Sequence, residues 1–94
     1  MIFFNNRQKD DDDAKAAFNE EALSHMEALY RGALYMTKDP SAAEDLVQDA
    51  YLKAHRFWHR YQPGTNCKAW LFRIMTNTFI NKSRKKTRIT TPVE

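Results

Sequence analysis

The apolar positions of this chain recur three and four residues apart in three separate stretches, the spacing of one face of an α-helix. In residues 17–38, Phe18, Ala22, Met26, Leu29 and Ala33 repeat in this way, with Leu23, Tyr30 and Leu34 alongside, which predicts a first helix. Gly32 lies inside it and weakens it without ending it. Asp39 followed by Pro40 suits an N-cap and first turn, while Ser41 with Glu44 offers a competing capping box. A second helix is predicted from there to about Trp58. "RYQPGTN", residues 60–66, holds the one Pro-Gly of the chain and reads as a loop. Asn66 is then placed to cap a third helix running from about Cys67 to Lys86. No strand-like alternation survives, so the expected fold is all-α: a compact bundle of three main helices with room for a short fourth. Residues 1–15, with four aspartates in a row, are expected to be a disordered acidic lead. Residues 16–88 form the helical domain and 89–94 begin a linker.

Two helix faces do not look like core. Around the second helix, at 100° per residue, Ala43, Leu46, Val47, Ala50, Tyr51, Ala54, Phe57 and Trp58 gather on one side. Asp45, Gln48, Asp49, Leu52 and Arg56 lie opposite, a single leucine framed by polar groups. A solvated face explains this as well as a contact does, yet an apolar anchor with a polar rim is also how a helix seats in a groove. On the third helix, Lys68, Leu71, Phe72, Met75 and Phe79 form the predicted core side, the lysine snorkelling to its edge. Trp70, Arg73, Ile74, Asn77, Asn81 and Arg84 share the other, and Lys82, Lys85, Lys86 and Arg88 extend the cationic surface. An aromatic beside cations and amides suits stacking on an exposed base while the cations hold phosphates. The plain alternative is that Trp70 packs beneath the 60–66 loop.

Charge sharpens the picture. Residues 1–49 carry five Lys/Arg against eleven Asp/Glu, and residues 50–94 carry ten against one, so a net of +3 divides into −6 and +9. Such a split favours two partners of different electrostatic character, with nucleic acid on the basic half. One cysteine, Cys67, rules out a disulfide framework. "MIFFNN" is too short an apolar run for a signal peptide, and no stretch reaches membrane-spanning length, so the expected location is cytoplasmic, without membrane contact.

"AEDLVQDAYLKAHRFW" followed by "NCKAWLFRIMTNTFINKSRKK" resembles region 2 of bacterial sigma factors of the extracytoplasmic-function (ECF) group, over roughly residues 17–88. The wording "LFRIMTNTFIN" is most similar to the sigma-R-like oxidative-stress subgroup. The resemblance implies a sigma-2-like domain that binds core RNA polymerase and recognises and melts the −10 promoter element. "DLVQDAYLKA" looks like the helix that meets the β′ coiled coil, which would give Asp45, Gln48, Asp49, Leu52 and Arg56 their partner. "KAWLFRI" and the asparagines after it look like the segment that opens the element. Trp70 would sit at the upstream edge of the bubble, with Lys68, Arg73, Ile74, Asn77, Asn81, Arg84, Lys85 and Lys86 on the DNA, chiefly its non-template single strand. The loop with Tyr61, Gly64, Thr65 and Asn66 would hold a flipped base. An anti-sigma factor is implied as a further partner. Two departures stand out. Many family members carry Asp where Asn81 stands and a denser arginine run after it, and no helix–turn–helix that would read the −35 element follows residue 88.

Two rivals follow from the residues alone. A three-helix duplex-DNA-binding domain without a polymerase partner explains the basic helix but not the Asp45–Leu52 stripe. A zinc site from His55, His59 and Cys67, with His25 upstream, has spacing on its side but lacks a paired cysteine motif. No nucleophile triad, phosphate loop or dinucleotide fingerprint is visible, so no enzyme activity, metal, cofactor or small-molecule substrate is expected.

Overall fold

The computed structural model describes the backbone of residues 2–90 and the side chains of residues 10–84. Its elements are α1 (Ile2–Leu23), α2 (Met26–Thr37), α3 (Pro40–Arg56), a single 3₁₀ turn (Trp58–Arg60) and α4 (Cys67–Thr90). Among the described residues there is no strand, and no helix is long and apolar enough to cross a membrane. The all-α expectation holds, and the fourth helix for which it left room is present. α3 lies at the centre, packed on α2 and α4, and the core is built from Leu29, Leu46, Leu71 and Met75 with alanines between them. The small residues Ala33, Ala43, Ala50 and Ala54 are all buried, which lets the helix backbones approach closely.

The additional helix comes from a break at Ser24–His25 inside the predicted first helix. No glycine or proline marks it. Ser24 Oγ donates to the Glu21 carbonyl at 2.6 Å, and the His25 amide turns back to the Ala22 carbonyl at 3.2 Å. The Tyr51 hydroxyl on α3 donates to that same Ala22 carbonyl at 2.7 Å. The C-terminal carbonyls of α1 thus find partners outside a continuous helix. The break also resets the phase. Phe18 and Ala22 stay inside and Leu29 and Ala33 resume the buried face, but Met26 of the same apolar repeat, and Leu23 alongside it, are exposed. The lead expected to be disordered also departs from expectation. Residues 5–15 continue α1 as helix, with Asp10–Asp13 exposed on it.

The local stop and start signals act as read. Lys38 adopts the left-handed conformation (φ 57°) and its amide bonds back to Leu34, closing α2. The Asp39 side chain accepts from the Ala42 amide at 3.4 Å with Pro40 in the first turn, opening α3. Asn66 accepts from the Ala69 amide at 3.0 Å and opens α4. Gly32 has a role beyond propensity. A Cβ placed there would come within 2.6 Å of Phe72 Cε1, so the missing side chain is where α4 lays an aromatic ring against α2. Gly32→Ala should therefore destabilise by roughly 1 kcal/mol. The overpacking cost of about 1–3 kcal/mol outweighs the ~1 kcal/mol gained in helix propensity. A urea midpoint that rises in the variant would show that the ring moves aside freely.

Candidate polymerase and nucleic-acid interfaces

The outward side of α3 carries Asp45, Gln48, Leu52 and Arg56, all exposed, because the alternate positions of the helix are consumed by Ala43, Leu46, Val47, Ala50 and Ala54. Leu52 is 69% exposed, which no contact within the chain explains. It is not isolated, however. Leu23 and Met26, freed by the break between α1 and α2, border the same open groove of about 1130 Å³. Val47, Tyr30 and Ala22 continue its floor and walls. The face identified from α3 alone is thus one rim of an apolar groove shared with α1 and α2. Asp49 stands apart from its neighbours. It is half-buried and forms an ion pair with Lys82 on α4, so its carboxylate is turned toward that helix. The Arg56 guanidinium lies 5.9 Å from the Phe57 ring centre, and Arg60 covers that ring at 4.7 Å.

The second surface runs along α4. Arg73, Asn77, Asn81 and Arg84 are exposed at spacings of four, four and three, one stripe of two cations and two carboxamides. Lys68, expected at the edge of the core, is exposed at the start of the helix, and its place inside is taken by Cys67. Thr78, which the periodicity did not single out, is buried. It donates to the Ile74 carbonyl at 2.7 Å and accepts from Lys53 Nζ at 3.2 Å, so a lysine of α3 is fastened to the inner side of α4. The side chains of Lys85 and Lys86 lie outside the described residues.

Three residues expected on the nucleic-acid side are turned inward, and Ile74 is one of them, partly buried against the core. Trp70 is half-buried, edge-on to Phe18 at 5.7 Å between ring centres and 5.4 Å from Tyr61. Tyr61, expected to line a pocket, is itself core at 7% exposure. Its hydroxyl donates to the Thr65 carbonyl at 3.2 Å and lies 3.5 Å from Glu21 Oε1. Burial, with Glu21 beside it, pushes the Tyr61 phenol up. Phe18 on α1 is what draws these rings in, and no local pattern announces so distant a partner. Gln62–Thr65 forms a tight turn with Pro63 second and Gly64 third, closed by the Thr65 amide on the Gln62 carbonyl at 3.2 Å. Gly64 has φ 89°, a conformation that costs other residues about 1 kcal/mol or more. Gly64, Thr65 and Asn66 are exposed above Tyr61. The loop therefore presents three residues and rests on a fourth.

Residues 22–89 match the model of the sigma-70 region 2 family. The chain belongs to that family. It is 35% identical over 79 residues to the ECF RNA polymerase sigma factor SigE of Mycolicibacterium smegmatis, covering 84% of this chain and 30% of that protein. It is 41% identical over 61 residues to SigM of Bacillus subtilis, covering 65% and 37%. With EcfG of Rhodopseudomonas palustris it shares 33% over 72 residues, covering 77% and 40%. This region 2 domain thus spans about a third of the length of such relatives. Both surfaces, on α3 and on α4, fall inside the matched residues, whereas α1 before Ala22 falls outside them. His55 and His59, the pair weighed for zinc, are both exposed, and His59 lies against Trp58 at 4.1 Å. Cys67 is buried, and burial, with Glu21 nearby, pushes its thiol above the ordinary range, the opposite of an activated thiolate.

Proposed function

We propose that this region 2 domain serves transcription initiation: it docks on core RNA polymerase through α3 and opens and reads the −10 promoter element through α4 and the 60–66 loop. The observation that carries the reading is Leu52, a large apolar side chain standing free between Asp45, Gln48 and Arg56 on a helix whose other side is fully packed. The β′ coiled coil would seat against Leu52 and the adjoining groove. The stripe of Arg73, Asn77, Asn81 and Arg84 would follow the non-template strand, and Gly64, Thr65 and Asn66 would border a flipped base. Trp70 offers only its outer edge for stacking. An anti-sigma partner covering these faces, and a place in the sigma-R-like subgroup, belong to the same proposal. So does a cytoplasmic site of action.

Energetics explain why both surfaces are needed. Breaking each stacked step of duplex costs about 1–2 kcal/mol, and each captured or stacked base returns ~1–3 kcal/mol. The two nearly cancel for a short bubble, so DNA affinity of the domain alone is low and attachment to polymerase supplies effective concentration. The test is binding of single-stranded DNA carrying the −10 element to the domain with core polymerase. With about four phosphates neutralised, log K should fall with log salt at a slope near −3. Asn81→Ala should change base preference more than affinity, since a carboxamide reads base edges. Equal loss on every sequence would make Asn81 a backbone contact.

The duplex-DNA reading gains from the inward turn of Trp70, which no longer demands an unpaired base. It still leaves Leu52 and its groove without an occupant. Stronger binding to duplex than to single strand, with no retention by polymerase, would put it first.

A further inference from the structure

At the junction of α1, α2 and α4, three side chains with metal-binding atoms converge. Glu21 lies in the last turn of α1, His25 at the N-cap of α2, and Cys67 is the first residue of α4. Their donor atoms all lie within 4.8 Å of one another. Donors around one tetrahedral zinc sit roughly 3.5 Å apart, at bonds of about 2.0–2.3 Å, so small rotations of the three side chains suffice.

His25 occupies an N-cap position without capping, where Ser, Asp or Asn would ordinarily sit. Glu21 forms no ion pair among the described residues, and the hydrogen-bond partner of its carboxylate there is the Tyr61 hydroxyl at 3.5 Å. A carboxylate, an imidazole and a thiol facing one another supply the three donor types that a zinc ion takes. The break at Ser24–His25 is what brings His25 to Cys67, since a continuous helix would set a different phase for every residue after Leu23. Cys67 closes the inner side, and exposed Glu21 with half-exposed His25 forms the side by which an ion enters. The long-range contact could not be read from spacing, which drew attention to His55 and His59 instead.

We infer that Glu21, His25 and Cys67 form a binding site for a borderline-soft transition-metal dication, zinc above all. One oxygen, one nitrogen and one sulfur donor match zinc or cobalt and not magnesium or calcium, which take oxygen sets. Three protein donors leave a fourth position for water. The thiol gives its proton to solvent as the metal binds. The ion would fasten the α1–α2 break to the start of α4, directly beneath Tyr61 and the Gly64–Asn66 loop. The inference rests on these three side chains and is independent of polymerase or DNA binding.

The test is titration of the full chain, reduced, with Co²⁺ in the absence of any partner. One equivalent should produce a near-ultraviolet thiolate-to-cobalt band and visible bands of tetrahedral intensity. Zn²⁺ should displace both and raise the melting temperature. Cys67→Ser should abolish the near-ultraviolet band, and His25→Ala, at a half-exposed position whose loss the fold tolerates, should weaken binding at least tenfold. The double substitution His55→Ala, His59→Ala should bind as wild type. Absence of the thiolate band in the wild type, its survival at full affinity in His25→Ala, or its loss in the His55/His59 variant would each overturn the site.

Discussion

Leu52→Asp should abolish the proposed retention of this domain by core RNA polymerase, or by its isolated β′ coiled coil, and should leave the helical fold intact. The fold survives because Leu52 is 69% exposed and the change gives up only helix propensity, about 0.5 kcal/mol. Binding should not survive, for two additive reasons. The buried leucine contributes about 1.5–3 kcal/mol when an apolar partner covers it. Its replacement would bring an uncompensated carboxylate into a desolvated contact beside Asp45, at a cost of several kcal/mol. Together these correspond to a hundredfold loss or more. A pull-down of both proteins with far-UV circular dichroism beside it decides the matter. Unchanged binding would remove α3 from the polymerase contact, and a collapsed spectrum would mean that the assignment of its two faces is reversed.

That this face could be found without coordinates reflects how local its cause is. One helix at 100° per residue sorts Ala43, Leu46, Val47, Ala50 and Ala54 from Asp45, Gln48, Leu52 and Arg56, and the sort depends on nothing distant. The caps at Asp39 and Asn66 were legible for the same reason, since each side chain satisfies an amide three residues away. What stayed hidden was fixed across the fold. The break after Leu23 depends on the Tyr51 hydroxyl reaching Ala22 from 29 residues on, so the exposure of Met26 and the groove it borders had no signature in the first helix. Trp70 and Tyr61 carried the composition of a nucleic-acid surface, and Phe18 turned them inward. Gly32 read as a mild flaw in a helix until Phe72 was seen to occupy the space of its missing side chain.

The burial of Tyr51 beneath this junction adds a physical mark of how dry it is. Desolvation, and then the nearby Cys67, push its phenol up to about 12. The bond from Tyr51 to Ala22 is therefore not lost to ionisation of the phenol in the ordinary pH range. The same dry junction supports the loop above it. Tyr61 holds Thr65 from below, under a turn already closed between Gln62 and Thr65.

Phe18→Ala should accordingly be the most damaging single substitution in α1, costing about 3–5 kcal/mol, the range for emptying a buried aromatic site. Phe18 is 5% exposed and touches three aromatic rings at once: Tyr61 at 5.6 Å, Trp70 at 5.7 Å and Trp58 at 6.2 Å. Each such pair contributes ~0.5–1.5 kcal/mol beyond its burial, and the three neighbours cannot all collapse into one vacated ring. For a domain of this size the total stability is about 5–14 kcal/mol, so the loss takes away a large share of it. Urea denaturation should show a lowered midpoint at an unchanged slope, with tryptophan emission shifted to the red before the transition as Trp58 and Trp70 meet water. Under the proposed function the effect should reach the loop, because Tyr61, packed on Phe18 and Trp70, holds Thr65. Single-stranded DNA binding should weaken in Phe18→Ala even under conditions where the helices remain formed. Phe18 precedes the residues that match the sigma-70 region 2 model, so removing residues 1–21 should destabilise at least as much as Phe18→Ala does. A cost below about 1 kcal/mol for Phe18→Ala, under the usual range for a buried ring, would mean that α1 lies against the domain without belonging to its core.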